Sequence, residues 1–447
     1  MSTTRRSFLK HLAAAGAAAP VVLPAWARGA EPSNQVNVAS VGVGGKGSSD
    51  SGGAARHGRM IAFADVAQGA NSRRGGFAKA VKAWPDAKPY ADWRRMLDAH
   101  GKDIDALTVS TPDHMHAPIT MTALALGIGC YTQKPLTRTI YEARQLNLAA
   151  ARAKVATQMG NQHHNGLPYR LLVHYIREGA IGKVKEAHSW SNRPIWPQGI
   201  DRPTGADPVP EGLHWDLWLG VARERPYKKN VYHPFKWRGW YDYGAGALGD
   251  MGCHIIDPVV WSLELGPALS VHYNGPAPKP ETFPTEETLT YRFKGTAYTA
   301  GDEITVKWYD GGRLPPAELA PLPQGMKGLP KNGTLFIGTK GVLLTPHGSG
   351  PMLLPRDQYA DYEKPKLPSI DHYGQWMDAI RGKGETTSSF AYAGPLTETV
   401  LLGVVASRVP GETLRWDPKT LTFPNSAKAT AYVKEDYRKG WEVEGLS

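Results

Sequence analysis

Gln35-Val36-Asn37-Val38-Ala39-Ser40-Val41-Gly42-Val43-Gly44-Gly45-Lys46-Gly47 joins a valine-rich run to a glycine-rich one, and this junction decides the N-terminal fold. Valines 36, 38, 41 and 43, mostly with small residues between them, predict a buried strand over 35–43. Gly42, Gly44 and Gly47 make a G-x-G-x-x-G, with Gly45 inside it. Such glycines allow a tight turn and a close approach of backbone N–H groups to a pyrophosphate at a helix N-terminus. The chain has 49 glycines, so the spacing acquires meaning only from its context.

That context follows downstream. A second strand over 60–63 ends near Asp65, eighteen residues past Gly47. A carboxylate there bonds a ribose 2′-hydroxyl and repels a 2′-phosphate, so the expected cofactor is NAD. Arg73 and Arg74 lie downstream and leave NADP open. The pattern then predicts a helix over 93–100, a strand over 105–110, a helix over 117–126, a strand over 129–132, a helix over 140–153 and a strand over 155–158. This alternation means a parallel sheet with helices on both faces, whose ligands sit beyond the strand C-termini. Thr111-Pro112-Asp113-His114-Met115-His116 and Gln133-Lys134-Pro135 both fall there.

Past about residue 160 the pattern changes. Half of the 14 tryptophans lie between Trp190 and Trp261; indole rings fill cores and also stack on sugar faces. Alternating runs over 287–293 and 303–309, with a further pair over 333–338 and 341–345, predict a largely antiparallel sheet. Helices are expected over 371–381 and 395–408, with a loop over 315–330. In Asp250-Met251-Gly252-Cys253-His254-Ile255-Ile256-Asp257, the i, i+4, i+7 spacing places Asp250, His254 and Asp257 on one helix face. An Asp one turn from a His can orient its ring for proton transfer. No second His/Asp/Glu pair matches it, His163 and His164 being the nearest, so no metal is expected. Trp237, Arg238 and Tyr243, just before this helix, and Asn161 and His163, at the start of the second half, are substrate candidates.

Composition sets the outer limits. The 447 residues suffice for two or three domains. Cys130 and Cys253 are too few for a disulfide framework and read as small buried residues. Arg5-Arg6 followed by Ser7-Phe8-Leu9-Lys10, an apolar stretch over 11–23 and Ala25-Trp26-Ala27 resemble a twin-arginine signal peptide over 1–30. Export to the periplasm or exterior is therefore expected, and with it a cofactor loaded beforehand and retained. Cleavage after Ala27 takes three charges, Arg5, Arg6 and Lys10, from the formal net +11 and leaves +8. The rest are scattered, which argues against nucleic acid as a partner, and no stable membrane insertion is expected.

With these residues in hand, the chain resembles the Gfo/Idh/MocA family, named for glucose–fructose oxidoreductase and inositol dehydrogenase, and within it the exported bacterial branch. The resemblance rests on 42–47, on Thr111-Pro112-Asp113 with His116, on Gln133-Lys134-Pro135 and on 250–257. It implies a Rossmann domain over 31–159 (α/β) and an α+β substrate and oligomerisation domain over 160–410 on an open-faced, mainly antiparallel sheet. Helices near 371–410 would pack back on the first domain, with 411–447 as a C-terminal extension and a homodimer or homotetramer as the assembly. It places Gly42, Gly44, Gly45, Gly47, Asp65, Thr111, Pro112, His116 and Lys134 at the cofactor. It gives Lys134 the reacting hydroxyl, and Asp250 and His254 the substrate and its proton. The implied activity is NAD(P)-dependent hydride transfer at a hydroxyl-bearing ring carbon of a sugar, glycoside or cyclitol. The alternatives are a redox-neutral NAD-dependent glycosidase and a non-catalytic sugar-binding or sensing protein. One departure stands out: the family usually has Glu where this chain has Gln133, which removes a negative neighbour from Lys134.

Overall fold

Strands β1 (Asn37–Val41), β2 (Arg59–Ala64), β3 (Lys88–Tyr90), β4 (Ala106–Val109), β5 (Gly129–Thr132) and β6 (Thr157–Met159) form a parallel sheet in the order β3-β2-β1-β4-β5-β6. The structure is a computed structural model that describes residues 35–69 and 76–447; the leader over 1–30 and Arg73 and Arg74 lie outside them. Helices α1 (Lys46–Ala55), α2 (Gly76–Ala83), α3 (Trp93–His100), α4 (His116–Ala125) and α5 (Ile140–Ala153) are interleaved with the strands. β4 and β5 are buried at every position, as a sheet covered on both faces requires. Thr139 and Glu142 close a capping box that starts α5. The strand order reverses between β1 and β4, so the glycine-rich loop after β1 and the Thr111 loop after β4 face each other across the crevice where such sheets bind ligands.

After α6 (Leu167–Arg177) the chain enters a second sheet. It comprises β7 (Val184–Trp190), β8 (Ala268–Asn274), β9 (Glu287–Lys294), β10 (Glu303–Asp310), β11 (Gly333–Gly338), β12 (Val342–Pro346), β13 (Met352–Leu354) and β14 (Thr413–Arg415). The order is β13-β12-β11-β7-β10-β9-β8-β14. All pairs are antiparallel except β7 with β10, which is parallel. Period-2 burial shows one open face: along β9, Leu289, Tyr291 and Phe293 are buried, while Arg292 and Lys294 are exposed. The helices that follow are α7 (Trp215–Leu219), α8 (Gly246–Ile255), α9 (Asp257–Leu263), α10 (His372–Ile380), α11 (Phe390–Ser407) and α12 (Ala427–Thr430); α11 packs on β8 of this sheet, while α10 packs back on α1 of the first domain.

Two expected elements are corrected. The stretch 250–257 is not one helix. α8 ends at Ile255 and α9 begins at Asp257 with Pro258 in its first turn; proline has no N–H with which to continue the α8 ladder. α11 begins at Phe390 rather than Pro395 and carries Pro395 inside it. Phe390 and Ala393 are fully buried, and their packing outweighs the one hydrogen bond that Pro395 forgoes. α11 is long and apolar enough to cross a membrane, but 78% of it is buried here, between the two halves of the molecule. Arg144 of α5 grips Glu398 of α11 through Nε and Nη2, both 2.7 Å from carboxylate oxygens.

The segment after β14 runs back over both halves. Tyr141 N–H donates to Val433 O at 3.0 Å, Tyr437 Oη to Glu142 at 2.7 Å, and Glu435 pairs with Arg138 and Arg408. Cys130 and Cys253 are fully buried free thiols, and burial pushes the Cys253 thiol up to about 12.

Candidate active site

The cofactor side is built by backbone. Gly42 has φ +80°, and a Cβ there would lie 2.6 Å from Ser110 O. A Cβ on Gly47 would lie 2.0 Å from Gly42 O, so this turn closes only without side chains. Gly45 faces open space, and no side chain caps the N-terminus of α1. Gly47 N–H donates to Gly44 O at 2.9 Å, and the other first-turn N–H groups are left for a cradle that fits a pyrophosphate. Asp65 follows β2, its Oδ2 accepting from Val43 N and its Oδ1 from Ala67 N, each at 2.9 Å. Burial raises its pKa, and these backbone bonds oppose the rise. Thr111 Oγ1 is buried with no partner among the described residues, as a group that waits for a ligand would be. His116 plays a different part from the one expected. It is buried, and its ring nitrogens lie 2.8 Å from Pro135 O and 2.9 Å from Thr111 O. It staples the loops after β4 and β5 and has no face left for a cofactor.

Lys134 leaves the C-terminal end of β5 and crosses to α8. Its Nζ donates to Asp250 O at 2.6 Å and to Asp250 Oδ1 at 2.9 Å. Two further cations reach the same carboxylate: Arg238 Nε is 3.3 Å from Oδ1, and Arg193 Nε is 3.5 Å from Oδ2. Burial works against ionisation of Asp250, but Lys134, Arg238 and Arg193 together outweigh it and hold the carboxyl well below the usual range. Asp250 therefore does not orient His254. The i, i+4 spacing does put both on one face of α8, yet the carboxylate is taken by cations from other elements.

His254 is 8% exposed, and its Nδ1 is buried without a partner. It sits beside two other histidines, with ring centroids 5.9 Å away at His163 and 5.5 Å away at His347. His163 and His347 are 4.5 Å apart. Burial, with Lys134 next, pushes the His254 pKa well below its ordinary value, and burial pushes His347 down to about 4. The rings are neutral near pH 7 and able to accept a proton. His163 is exposed and connects the cluster to solvent. Tyr169 Oη and His347 Nδ1 are 2.8 Å apart. Asp113, beneath Arg238 and Lys134, accepts from Ala245 N at 3.1 Å; burial raises its pKa to about 7, against the pull of those two cations.

Several expected substrate contacts belong to the core instead. Tyr243 is fully buried among His114, Trp218 and Tyr232. Trp237 is buried and serves as a platform for Arg238, whose guanidinium lies 4.1 Å from the ring centroid. Asn161 is fully buried and accepts from Ser388 Oγ at 2.7 Å. Asp257 is fully buried and bonded by His164 Nδ1 at 3.0 Å, so neither of these two is offered to a ligand. Arg238 and His163 are at the site. Arg193 and His347 were missed, since one lies on a loop and the other in a hairpin without periodic signal. Gln133 does not face Lys134's ammonium. Its Nε2 donates to Asp50 Oδ2 at 2.8 Å, and buried Asp50 also binds Lys46 at 2.9 Å, Ser110 at 2.8 Å and Tyr373 at 2.7 Å. The carboxylate missing at 133 is thus present nearby, on α1.

Comparison with known proteins agrees with this architecture. Residues 36–161 match the description "Oxidoreductase family, NAD-binding Rossmann fold", and residues 185–306 match "Oxidoreductase family, C-terminal alpha/beta domain", both of Gfo/Idh/MocA. Levoglucosan dehydrogenase of Pseudarthrobacter phenanthrenivorans is 25% identical over 185 residues, 40% of this chain and 38% of that protein. The 1,5-anhydro-D-fructose reductase of Ensifer adhaerens is 36% identical over 83 residues, 18% of this chain and 24% of that protein. The chain thus spans less than two-fifths of the length of these curated relatives. Among solved structures, WlbA dehydrogenase of Bordetella pertussis, in complex with NADH and UDP-GlcNAcA, superposes with a TM-score of 0.58 at 16% identity, covering 86% of this chain and 99% of that one. A levoglucosan dehydrogenase complex with NADH and levoglucosan gives 0.55 at 18% identity, over 85% and 99%.

Proposed function

The chain belongs to the Gfo/Idh/MocA oxidoreductase family, whose N-terminal domain binds NAD, and from that premise we propose that it oxidises or reduces a hydroxyl-bearing ring carbon of a sugar, glycoside or cyclitol. The observation that carries this reading is the meeting of Lys134, Asp250 and His254 at the C-terminal end of β5, beside the glycine-rich loop. The named activities of the levoglucosan and anhydrofructose relatives support the substrate class.

The bound nicotinamide supplies a hydride acceptor or donor. The residues do the rest. Lys134 Nζ, anchored by Asp250, offers a hydrogen bond to the reacting hydroxyl and favours its oxyanion. Neutral His254, whose buried Nδ1 has no partner among the described residues, takes the hydroxyl proton during oxidation and returns it during reduction. His163 and His347 lie next to it and pass the proton toward solvent. Asp250 is a positioning residue for Lys134. The carboxylate of Asp65 favours NAD over NADP.

The test is incubation of the purified protein with NAD and a panel of sugars and glycosides, following NADH absorbance and product sugars together. Aglycone release without net NADH identifies the redox-neutral glycosidase instead. His254→Ala lowers turnover by about 10²- to 10⁴-fold, the usual worth of a positioned acid–base group, with an unchanged thermal midpoint. A folded and fully active variant refutes the assignment.

A further inference from the structure

We propose that the substrate is an anionic sugar, its acidic group held by Arg193 and Arg238; this rests on the sugar reading above and narrows it. Three cations from separate parts of the chain converge on the one carboxylate of Asp250, with nitrogens 2.9, 3.3 and 3.5 Å from it. One carboxylate neutralises one of them. Asp113, the other acid in electrostatic contact, has its pKa raised to about 7 by burial and so carries only about half a charge at neutral pH. Lys46 is already paired with Asp50. His254 and the two histidines beside it bring no negative charge. A surplus of positive charge therefore sits in a site that is mostly sheltered, the Lys134, Arg193 and Arg238 side chains being 14%, 25% and 22% exposed. Unpaired charge in such a place is costly, and an anionic ligand removes the cost.

The guanidinium geometry fits the same ligand. Arg238 lies on Trp237 and Phe235, at 4.1 and 4.7 Å from the ring centroids, and donates Nη1 to Phe235 O at 3.2 Å. Arg193 donates Nη1 to Asn192 Oδ1 at 2.7 Å, and its Nε is buried without a hydrogen bond. Both side chains are oriented by these contacts. Neither Nη2 has a hydrogen-bond partner among the described residues. Two oriented guanidinium donors that meet at the one carboxylate of Asp250 suit an anionic group with two or more oxygens. A neutral hydroxyl in that position leaves the charge uncompensated.

The experiment is calorimetric binding to the NAD-loaded full chain, with hexuronates and hexonates, their parent neutral hexoses, and the corresponding sugar sulfates and phosphates as probes. A carboxylated sugar is expected to bind at least tenfold tighter than its neutral parent, and to keep part of that advantage in 0.5 M salt because partly buried pairs are screened less. A sulfate or phosphate that outranks every carboxylate assigns the same site to a tetrahedral anion. Arg193→Gln is expected to shrink the acid-to-neutral affinity ratio about tenfold or more, with Arg193→Lys restoring part of it. Neutral sugars that bind as tightly as the acids, or a ratio unmoved by Arg193→Gln in a variant of normal thermal midpoint, overturn the proposal. The binding readout is independent of turnover. Tight acid binding without hydride transfer leaves this inference standing and removes the oxidoreductase reading; turnover of neutral sugars alone does the reverse.

Discussion

Gln133→Glu restores the residue usual in the family and is expected to destabilise this protein in a pH-dependent way. Gln133 Nε2 donates to Asp50 Oδ2 at 2.8 Å, and Gln133 and Asp50 are 6% and 0% exposed. Glutamate at 133 puts a second carboxylate where an N–H now sits. At an effective dielectric of about 20, two unit charges at that distance repel by about 6 kcal/mol. The pair escapes by keeping one proton. Holding a carboxyl protonated from its free pKa of about 4.3 up to pH 7 costs about 3.7 kcal/mol, and the nearby Lys46 ammonium lowers the repulsion somewhat. The expected loss is therefore about 2–4 kcal/mol at pH 7. Its sign follows from linkage: the folded pKa is raised above the unfolded one, so the penalty is absent below about pH 4.3. It grows by about 1.4 kcal/mol per pH unit until the folded pKa is passed. Urea unfolding of parent and variant at pH 5 and pH 8 measures this. Adding Asp50→Asn should recover much of the stability at pH 8, since the amide it introduces can donate to the new carboxylate. Equal midpoints at both pH values, or a loss that does not change with pH, refute the assignment of Asp50 as the partner of residue 133.

Two further outcomes are expected. Asp65→Asn, which removes the charge and leaves an acceptor for only one of the Val43 and Ala67 amides, should narrow the preference for NAD over NADP by about tenfold in a fluorescence titration; parent protein that binds NADP more tightly contradicts the role given to Asp65. Replacing Arg5 and Arg6 together by lysine should leave the precursor in the cytoplasm on cell fractionation, whereas the parent reaches the exterior with near-stoichiometric NAD(H) released on denaturation; normal export of the variant refutes the twin-arginine reading.

The N-terminal half was legible because its central strands β1, β4, β5 and β6 are almost wholly buried and bounded by glycine or proline nearby, so pattern and position agree. β3 escaped notice because it is three residues, Lys88-Pro89-Tyr90, at the sheet edge, too short and too polar for any period to show. Lys134 could be placed from sequence because the end of β5 fixes it. Arg193 and His347 could not be placed that way. They reach Asp250 and His254 through the second sheet, β7 being two strands from β12, and no spacing along the chain encodes that approach. The Asp250 assignment shows the limit most clearly. Helical spacing correctly put Asp250 and His254 on one face of α8, but a face is only an opportunity. The carboxylate goes to the partners that stabilise its charge most, and three cations within 3.5 Å offer more than a buried neutral imidazole. Asp250 still raises the basicity of His254 through space, but burial and then Lys134 outweigh it and lower the pKa. A weakly basic imidazole holds its proton briefly and releases it to His163 or His347 easily. That suits a relay between substrate and solvent better than a fixed proton store.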